Sequence, residues 1–182
     1  MKCVATTLPD VFVIESPVFG DSRGFFTEVF HADKFAAIGL PTTFVQDNHS
    51  RSARHTLRGL HYQKLSPQGK LIRVVSGSIF DVAVDIRRSS PTFGKWCGME
   101  LREGDGRQLW IPVGFAHGFL VLSESADVTY KCTTLYDATD NHGIAWNDEQ
   151  IDIAWPLPVG VAPILSAKDQ DAPSLAHVDT FA

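Results

Sequence analysis

The chain has 182 residues, 44% of them hydrophobic and 20% charged, with a formal net charge of -5 at pH 7. That size and balance predict a single globular domain spanning residues 1–182, with room for a sizeable core. The acidic balance argues against nucleic acid as a partner, which demands a basic face, yet leaves room for a local basic pocket.

The first ten residues contain no long apolar run, which predicts no signal peptide, and no window reaches membrane-helix length, so no membrane partner is expected. Cys3, Cys97 and Cys132 are odd in number and lack zinc-type spacing; neither a disulfide framework nor structural zinc is expected, and a reducing cytoplasm fits best. Val11–Ile14 opens a series of predicted strands, followed by a turn over Phe19–Gly24 and a strand over Phe25–Phe30. His31–Ile38 reads as a helix, closed by Gly39. Strand patterns then continue to about Trp146, broken by Ser-Gly, Ser-Ser-Pro, Gly-Asp-Gly and Val-Gly turns, which favours a sandwich, barrel or jelly roll. In Ile79–Ile86, Asp81, Ala83 and Asp85 alternate with apolar residues, so the aspartate face is expected to meet solvent. The tail after Trp155-Pro156 is rich in Pro and Ala and is predicted to pack irregularly. No repeat, low-complexity tract or interdomain linker is present.

Leu57–Gln63 stands out. Strand alternation points Leu60 and Tyr62 one way and Gly59, His61 and Gln63 the other, so Arg58, His61 and Gln63 are polar outliers on an apolar strand. His117 and Tyr130-Lys131 interrupt two later strands in the same manner, which suggests a site inside a barrel. His31, His55 and His177 read as surface residues, and His49 either binds a polar ligand or builds a turn. The Pro112-x-Gly114-x-x-His117 arrangement resembles the second motif of cupins, where that histidine is a metal ligand. The first motif would supply His-x-His and a downstream Glu. Here it reads His61-Tyr62-Gln63, with Asp81 outside the spacing. Two nitrogen ligands without a carboxylate hold a divalent metal poorly, so neither a metal nor another cofactor is expected.

The histidines are then free for acid–base work, which needs one ring nitrogen held in the right tautomer by a partner. Asp169 is a candidate orienter, or a helix cap; Tyr130 is a candidate acid, or a core tyrosine bonded to backbone. Arg23, Arg58, Lys70 and Lys168, with Phe26 and Tyr136, form a cationic and aromatic set suited to phosphate and a nucleobase. No Walker loop or Gly-x-Gly-x-x-Gly fingerprint is present, so any nucleotide would be gripped by side chains as part of a substrate.

Taken in order, Phe19–Glu28, Phe44–Ser50, Leu57–Gln63, Gln68–Leu71, Phe80–Arg87, Ser90–Gly94, Leu109–Phe119, Tyr130-Lys131, Gly143–Asp148, Trp155-Pro156 and Ser166–Asp169 resemble the dTDP-4-dehydrorhamnose 3,5-epimerase family over nearly the whole chain. The resemblance implies an all-β, cupin-type jelly roll with a few short helices, free of metal and cofactor, and a homodimer that exchanges N-terminal strands. It implies an isomerase of the dTDP-rhamnose pathway that converts dTDP-4-dehydro-6-deoxy-D-glucose to dTDP-4-dehydro-L-rhamnose. Mono-epimerases acting at C3 or C5 alone would share the same base and acid. His61 would abstract the proton with Asp169 as its partner, Tyr130 would donate one, and Lys70 would lie close to the C4 oxygen with His117 near the sugar. Gln46, Asp47, Asn48, Arg58 and Lys168 would contact substrate, Tyr136 would stack on thymine, and Arg23 and Glu28 would reach in from the partner subunit. The chain departs from the family pattern at Ala138, where a Pro is usual, and at Asn141, where a Glu is usual; Asn141 can hydrogen-bond but brings no charge.

Overall fold

A computed structural model describes residues 1–182 as two stacked antiparallel sheets with short helical segments around them, the jelly-roll sandwich that the family resemblance implies and one of the three architectures the strand pattern favours. The strands are β1 (Lys2–Ala5), β2 (Phe12–Glu15), β3 (Val18–Asp21), β4 (Gly24–Thr27), β5 (Gln46–Ala53), β6 (Leu57–Gln63) and β7 (Lys70–Ser76). They continue as β8 (Ser78–Asp85), β9 (Trp96–Arg102), β10 (Arg107–Ile111), β11 (Phe115–Val121), β12 (Ser125–Cys132) and β13 (Asn141–Gly143). One sheet runs β1-β2-β10-β7-β12-β5, the other β13-β6-β11-β8-β9, and β3 with β4 forms a separate hairpin. No helix is long and apolar enough to cross a membrane.

The N-terminal segment departs from the sequence reading. Lys2–Ala5 pairs with β2 as an additional edge strand, and the expected turn Phe19–Gly24 contracts to Ser22-Arg23 because Val18–Asp21 pairs with Gly24–Thr27. Helix α1 (Ala32–Ala37) ends where expected: Gly39 adopts φ 76°, a left-handed conformation that glycine adopts without steric cost.

Three apolar clusters define the layers. Ile72, Val74, Ile79, Ala83, Phe115, Phe119 and Val128 meet between the two sheets. Phe35 and Leu40, from and just after α1, cover Ile14, Leu71 and Trp110 on the outside of the six-stranded sheet. The third cluster lies on the outside of the five-stranded sheet, where Ile144, Ile151, Leu175 and Trp155 of the C-terminal region cover Leu60, Tyr62, Val82, Val84 and Ile86. The tail is mostly irregular but is pinned by parallel bridges Thr56↔Ile164 and Arg87↔Phe181 and by the four-residue helix α2 (Ala167–Gln170).

That cover overturns the expectation for β8. Because the tail buries the Val82, Val84 and Ile86 face, the opposite face points between the sheets, and Asp81 and Asp85 are both 0% exposed. Asp85 is compensated by Arg87 at 2.8 Å and by the hydroxyls of Ser90 and Thr92. Burial pushes its carboxyl up, but these bonds outweigh burial and bring it down to about 2. His55, read as a surface residue, is half-buried at a turn with φ 63°.

Candidate active site

One end of the sandwich interior is apolar and the other is polar, and the polar end opens as a cavity of about 360 Å³. Gln46, Asn48, Ser50, Arg58, His61, Tyr62, Gln63, Gln68, Lys70, His117, Phe119, Tyr130, Tyr136 and Asn141 line it. Strand alternation explains most of this set. In β5 it turns Gln46, Asn48 and Ser50 inward and Asp47, His49 and Arg51 outward. In β12 it puts Tyr130 on the inner face, with Tyr130 in register with both Asn48 and Ile72.

Strand β6 achieves more than alternation allows, since Arg58 and His61, three residues apart, both reach the cavity. The pairing with β11 shifts between His117 and Phe119, where a bulge changes which way the strand faces. Two glycines permit this. A Cβ on Gly59, whose φ is 118°, would lie 2.5 Å from the Gly118 Cα, and a Cβ on Gly118 would lie 2.8 Å from the Arg58 carbonyl oxygen. The same pairing sets His61 directly opposite His117.

Each imidazole has its own carboxylate. His61 Nε2 lies 2.5 Å from Asp169 Oδ1, and His117 Nε2 lies 2.7 Å from Asp81 Oδ1. Asp169 is 4% exposed and sits in α2, whose first turn is capped by the Ser166 hydroxyl accepting from the Asp169 amide. Burial pushes the Asp169 carboxyl up, yet the His61 hydrogen bond and charge, Ser166 and the Gly59 amide together hold it below the usual carboxylate range. An ionised Asp169 keeps the proton on Nε2 and leaves the lone pair on Nδ1, the arrangement of a base. No group of three or more His, Cys, Asp or Glu side chains is gathered as a metal site.

Across the cavity, on the other sheet, stand Tyr130 and Lys70. Burial pushes the Tyr130 phenol up, with Cys132 adding to the effect and Arg58 opposing it, so the phenol holds its proton. Lys70 is 9% exposed, and burial pushes its ammonium down against the opposing influence of the nearby Cys132 thiol and Asp81 carboxylate. Neither head group has a hydrogen-bond partner within the chain, which leaves both directed to a ligand. Arg58 donates to the Ser52 hydroxyl at 3.0 Å and has no carboxylate partner, so its charge also remains for a ligand. At the mouth, the half-exposed Tyr136 ring is fixed at both ends. Its amide donates to Gln46 Oε1 at 2.7 Å, and Asn141 Nδ2 donates to its hydroxyl at 2.8 Å.

The structure therefore brings together His61, Tyr130, Asp169, Lys70, His117, Gln46, Asn48, Arg58, Tyr136 and Asn141. Asp47 does not join them; it faces outward and pairs with Lys131 at 3.0 Å, because it occupies the odd position in β5. Lys168 lies outside the lining and donates to the Asn141 carbonyl at 2.8 Å. Arg23 and Glu28 lie outside this cavity as well, paired with Asp21 and Lys34. His49 builds neither a turn nor the cavity wall, but pairs with Asp127 on the outer face of β5. Sequence reasoning missed Ser50, Gln68 and Asp81. Period-two alternation from Gln46 could have found Ser50, whereas Gln68 sits in a loop that carries no such signal.

Residues 5–177 match the family model for dTDP-4-dehydrorhamnose 3,5-epimerase. A protein of that name from Pseudomonas aeruginosa is 52% identical over 182 residues, covering 100% of this chain and 99% of that one. The fold superposes with a TM-score of 0.93 on the crystal structure of the dTDP-6-deoxy-D-glucose-3,5-epimerase RmlC from Legionella pneumophila in complex with dTDP-4-keto-L-rhamnose. That protein is 47% identical, and the match covers 98% of this chain and 94% of that one. ChmJ, a 3'-monoepimerase from Streptomyces bikiniensis crystallised with dTDP-quinovose, superposes with a TM-score of 0.88 at 31% identity, covering 95% and 87% of the two chains. The chain belongs to the dTDP-4-dehydrorhamnose 3,5-epimerase family.

Proposed function

We propose that the chain is a 3,5-epimerase converting dTDP-4-dehydro-6-deoxy-D-glucose to dTDP-4-dehydro-L-rhamnose. The observation that carries this reading is the pairing of a carboxylate-backed imidazole on one sheet with a protonated phenol on the other, facing one cavity beside an unpartnered ammonium. C3 and C5 both flank the C4 ketone, so removing either proton gives an enolate whose charge rests on the C4 oxygen. His61 Nδ1 takes the C–H proton, and the electron pair of that bond moves to the C4 oxygen. Asp169 stabilises the imidazolium that results. Lys70 stabilises the oxyanion, a contribution typically worth ~3–4 kcal/mol. Tyr130 returns a proton to the opposite face of the carbon, which inverts it, and both groups then exchange with solvent. Arg58 suits the diphosphate, and the fixed Tyr136 ring suits stacking on thymine.

Arg23 and Glu28 lie on and just after the β3–β4 hairpin, whose Phe19, Phe25 and Phe26 are exposed. We place them at the cavity of a second copy, in a cytoplasmic homodimer. The test of the reaction is incubation with the 4-keto sugar nucleotide in D₂O. Label at both C3 and C5, with the L-configured product trapped by a rhamnose reductase, supports the double epimerase. Label at one carbon only would reassign the chain as a mono-epimerase.

A further inference from the structure

One buried carboxylate serves the wall of the cavity rather than the cavity itself. Asp140 closes the 3-10 turn Ala138–Asp140 and is 1% exposed. Its Oδ2 accepts from the amides of Leu65 at 2.8 Å and Ser66 at 2.7 Å, and its Oδ1 from the amide of Lys64 at 3.1 Å. His142 Nε2 lies 3.2 Å from Oδ1, and its ring stacks on Tyr62 with centroids 5.2 Å apart. Burial pushes the Asp140 carboxyl up, but the three amides and His142 outweigh burial and hold it low.

The loop so bound, 64–69, carries Gln68 and leads directly into Lys70; the segment that binds it, 133–141, carries Tyr136 and Asn141. Further bonds join the same two segments. Gln63 donates to the carbonyls of Ser66 at 2.7 Å and Leu135 at 3.2 Å, and Gln68 donates to that of Thr134 at 2.8 Å. Leu65 is 84% exposed, so its side chain does not anchor the loop. The Asp140 end of the loop, 64–66, is held by charge-assisted bonds to that one carboxylate, while the Lys70 end is held by Gly69 donating to Thr133 Oγ1 at 2.8 Å and Thr134 Oγ1 donating to the Pro67 carbonyl at 3.0 Å.

We propose that Asp140 is a positioning residue that fixes the two walls of the cavity mouth and so sets the affinity for the part of the substrate remote from the reacting carbons. The proposal rests on the epimerase reading above. His61, Asp169, Tyr130 and Lys70 are held by β6, α2, β12 and β7 through bonds that do not involve Asp140, Lys70 by its pairing with Ile111 and Cys132, so the loss of Asp140 acts on binding rather than on proton transfer. Interactions made equally in ground and transition states appear in KM and leave kcat unchanged.

The test compares Asp140→Asn with the unaltered protein. The variant turns an NH₂ group towards amide donors. The expected result is a roughly tenfold rise in KM for the 4-keto sugar nucleotide and in Kd for dTDP, with kcat within about twofold. Amide hydrogen exchange at Leu65 and Ser66 should accelerate in the same variant. Unchanged KM and exchange, or KM and kcat failing together, would overturn the proposal. Asp140→Ala removes the charge without adding a donor and serves if the first variant does not fold; failure of both to fold makes Asp140 a purely structural residue and also overturns it. An inactive unaltered protein would instead sink the epimerase reading, which keeps the two failures distinct.

Discussion

Replacing Asp169 with Asn changes one oxygen to nitrogen at the contact on which the proposed base depends. The Gly59 amide helps to hold this carboxyl low and His61 Nε2 contacts its Oδ1, so both act on the substituted side chain. An Asn that keeps its oxygen towards the Gly59 amide turns its NH₂ group towards His61 Nε2. That nitrogen must then accept, the ring proton moves to Nδ1, and the nitrogen facing the substrate loses its lone pair. The charge that stabilises the imidazolium is lost as well. A wrong tautomer held in this way costs about 10³–10⁴-fold in kcat. KM should stay within about threefold, since Asp169 does not line the cavity. The fold should survive, because the backbone amide of residue 169 still donates to the Ser166 hydroxyl. The assay is the rate of deuterium entry at C3 and C5, measured by NMR, with circular dichroism as the control for folding. A folded variant within about tenfold of the original exchange rate would refute the tautomer argument. The same carboxylate titrates lower when folded than when unfolded. Its contribution to stability is therefore full above its ordinary value of 3.8 and is lost as pH falls through the lower folded value. Asp169→Asn should flatten that part of the acid unfolding curve.

Four further outcomes follow from the same geometry. Tyr130→Phe removes the proton donor and should slow product formation by about 10²-fold or more, while abstraction by His61 continues, read as substrate exchange outpacing turnover. Lys70→Met should lower kcat by about 10²–10³-fold yet raise the melting temperature, because it takes a largely buried, unpartnered ammonium out of the cavity wall. Since the Lys70 pKa is lower folded than unfolded, the unfolded chain binds more protons in the window below 10.5, and stability gains with rising pH there; the Met variant should lack that slope. Asp85 titrates near 2 when folded against 3.8 ordinarily, so its stabilisation should vanish as pH falls from about 4 to about 2, and Asp85→Asn should destabilise at neutral pH while removing this acid dependence.

Much of the site was legible before folding was considered. His61, Tyr130 and His117 are polar residues in apolar strands, and residues of that kind need a reason that packing does not supply. The helix end at Gly39 and the inward set Gln46, Asn48 and Ser50 follow from local backbone rules, and Asp47 could have been set aside by the same period of two. The solvent expectation for Asp81 and Asp85 failed for a different reason. Alternation says that two faces differ, but which face is interior depends on what covers the other, and here the cover is a tail some 60–90 residues further along the chain. The partnership of His61 with Asp169 spans 108 residues and has no spacing signature at all. Local sequence determined the strands, the turn chemistry and which side chains are out of place. Only tertiary packing decided which carboxylate meets which imidazole, because burial and long-range register are properties of the assembled layers rather than of any one strand.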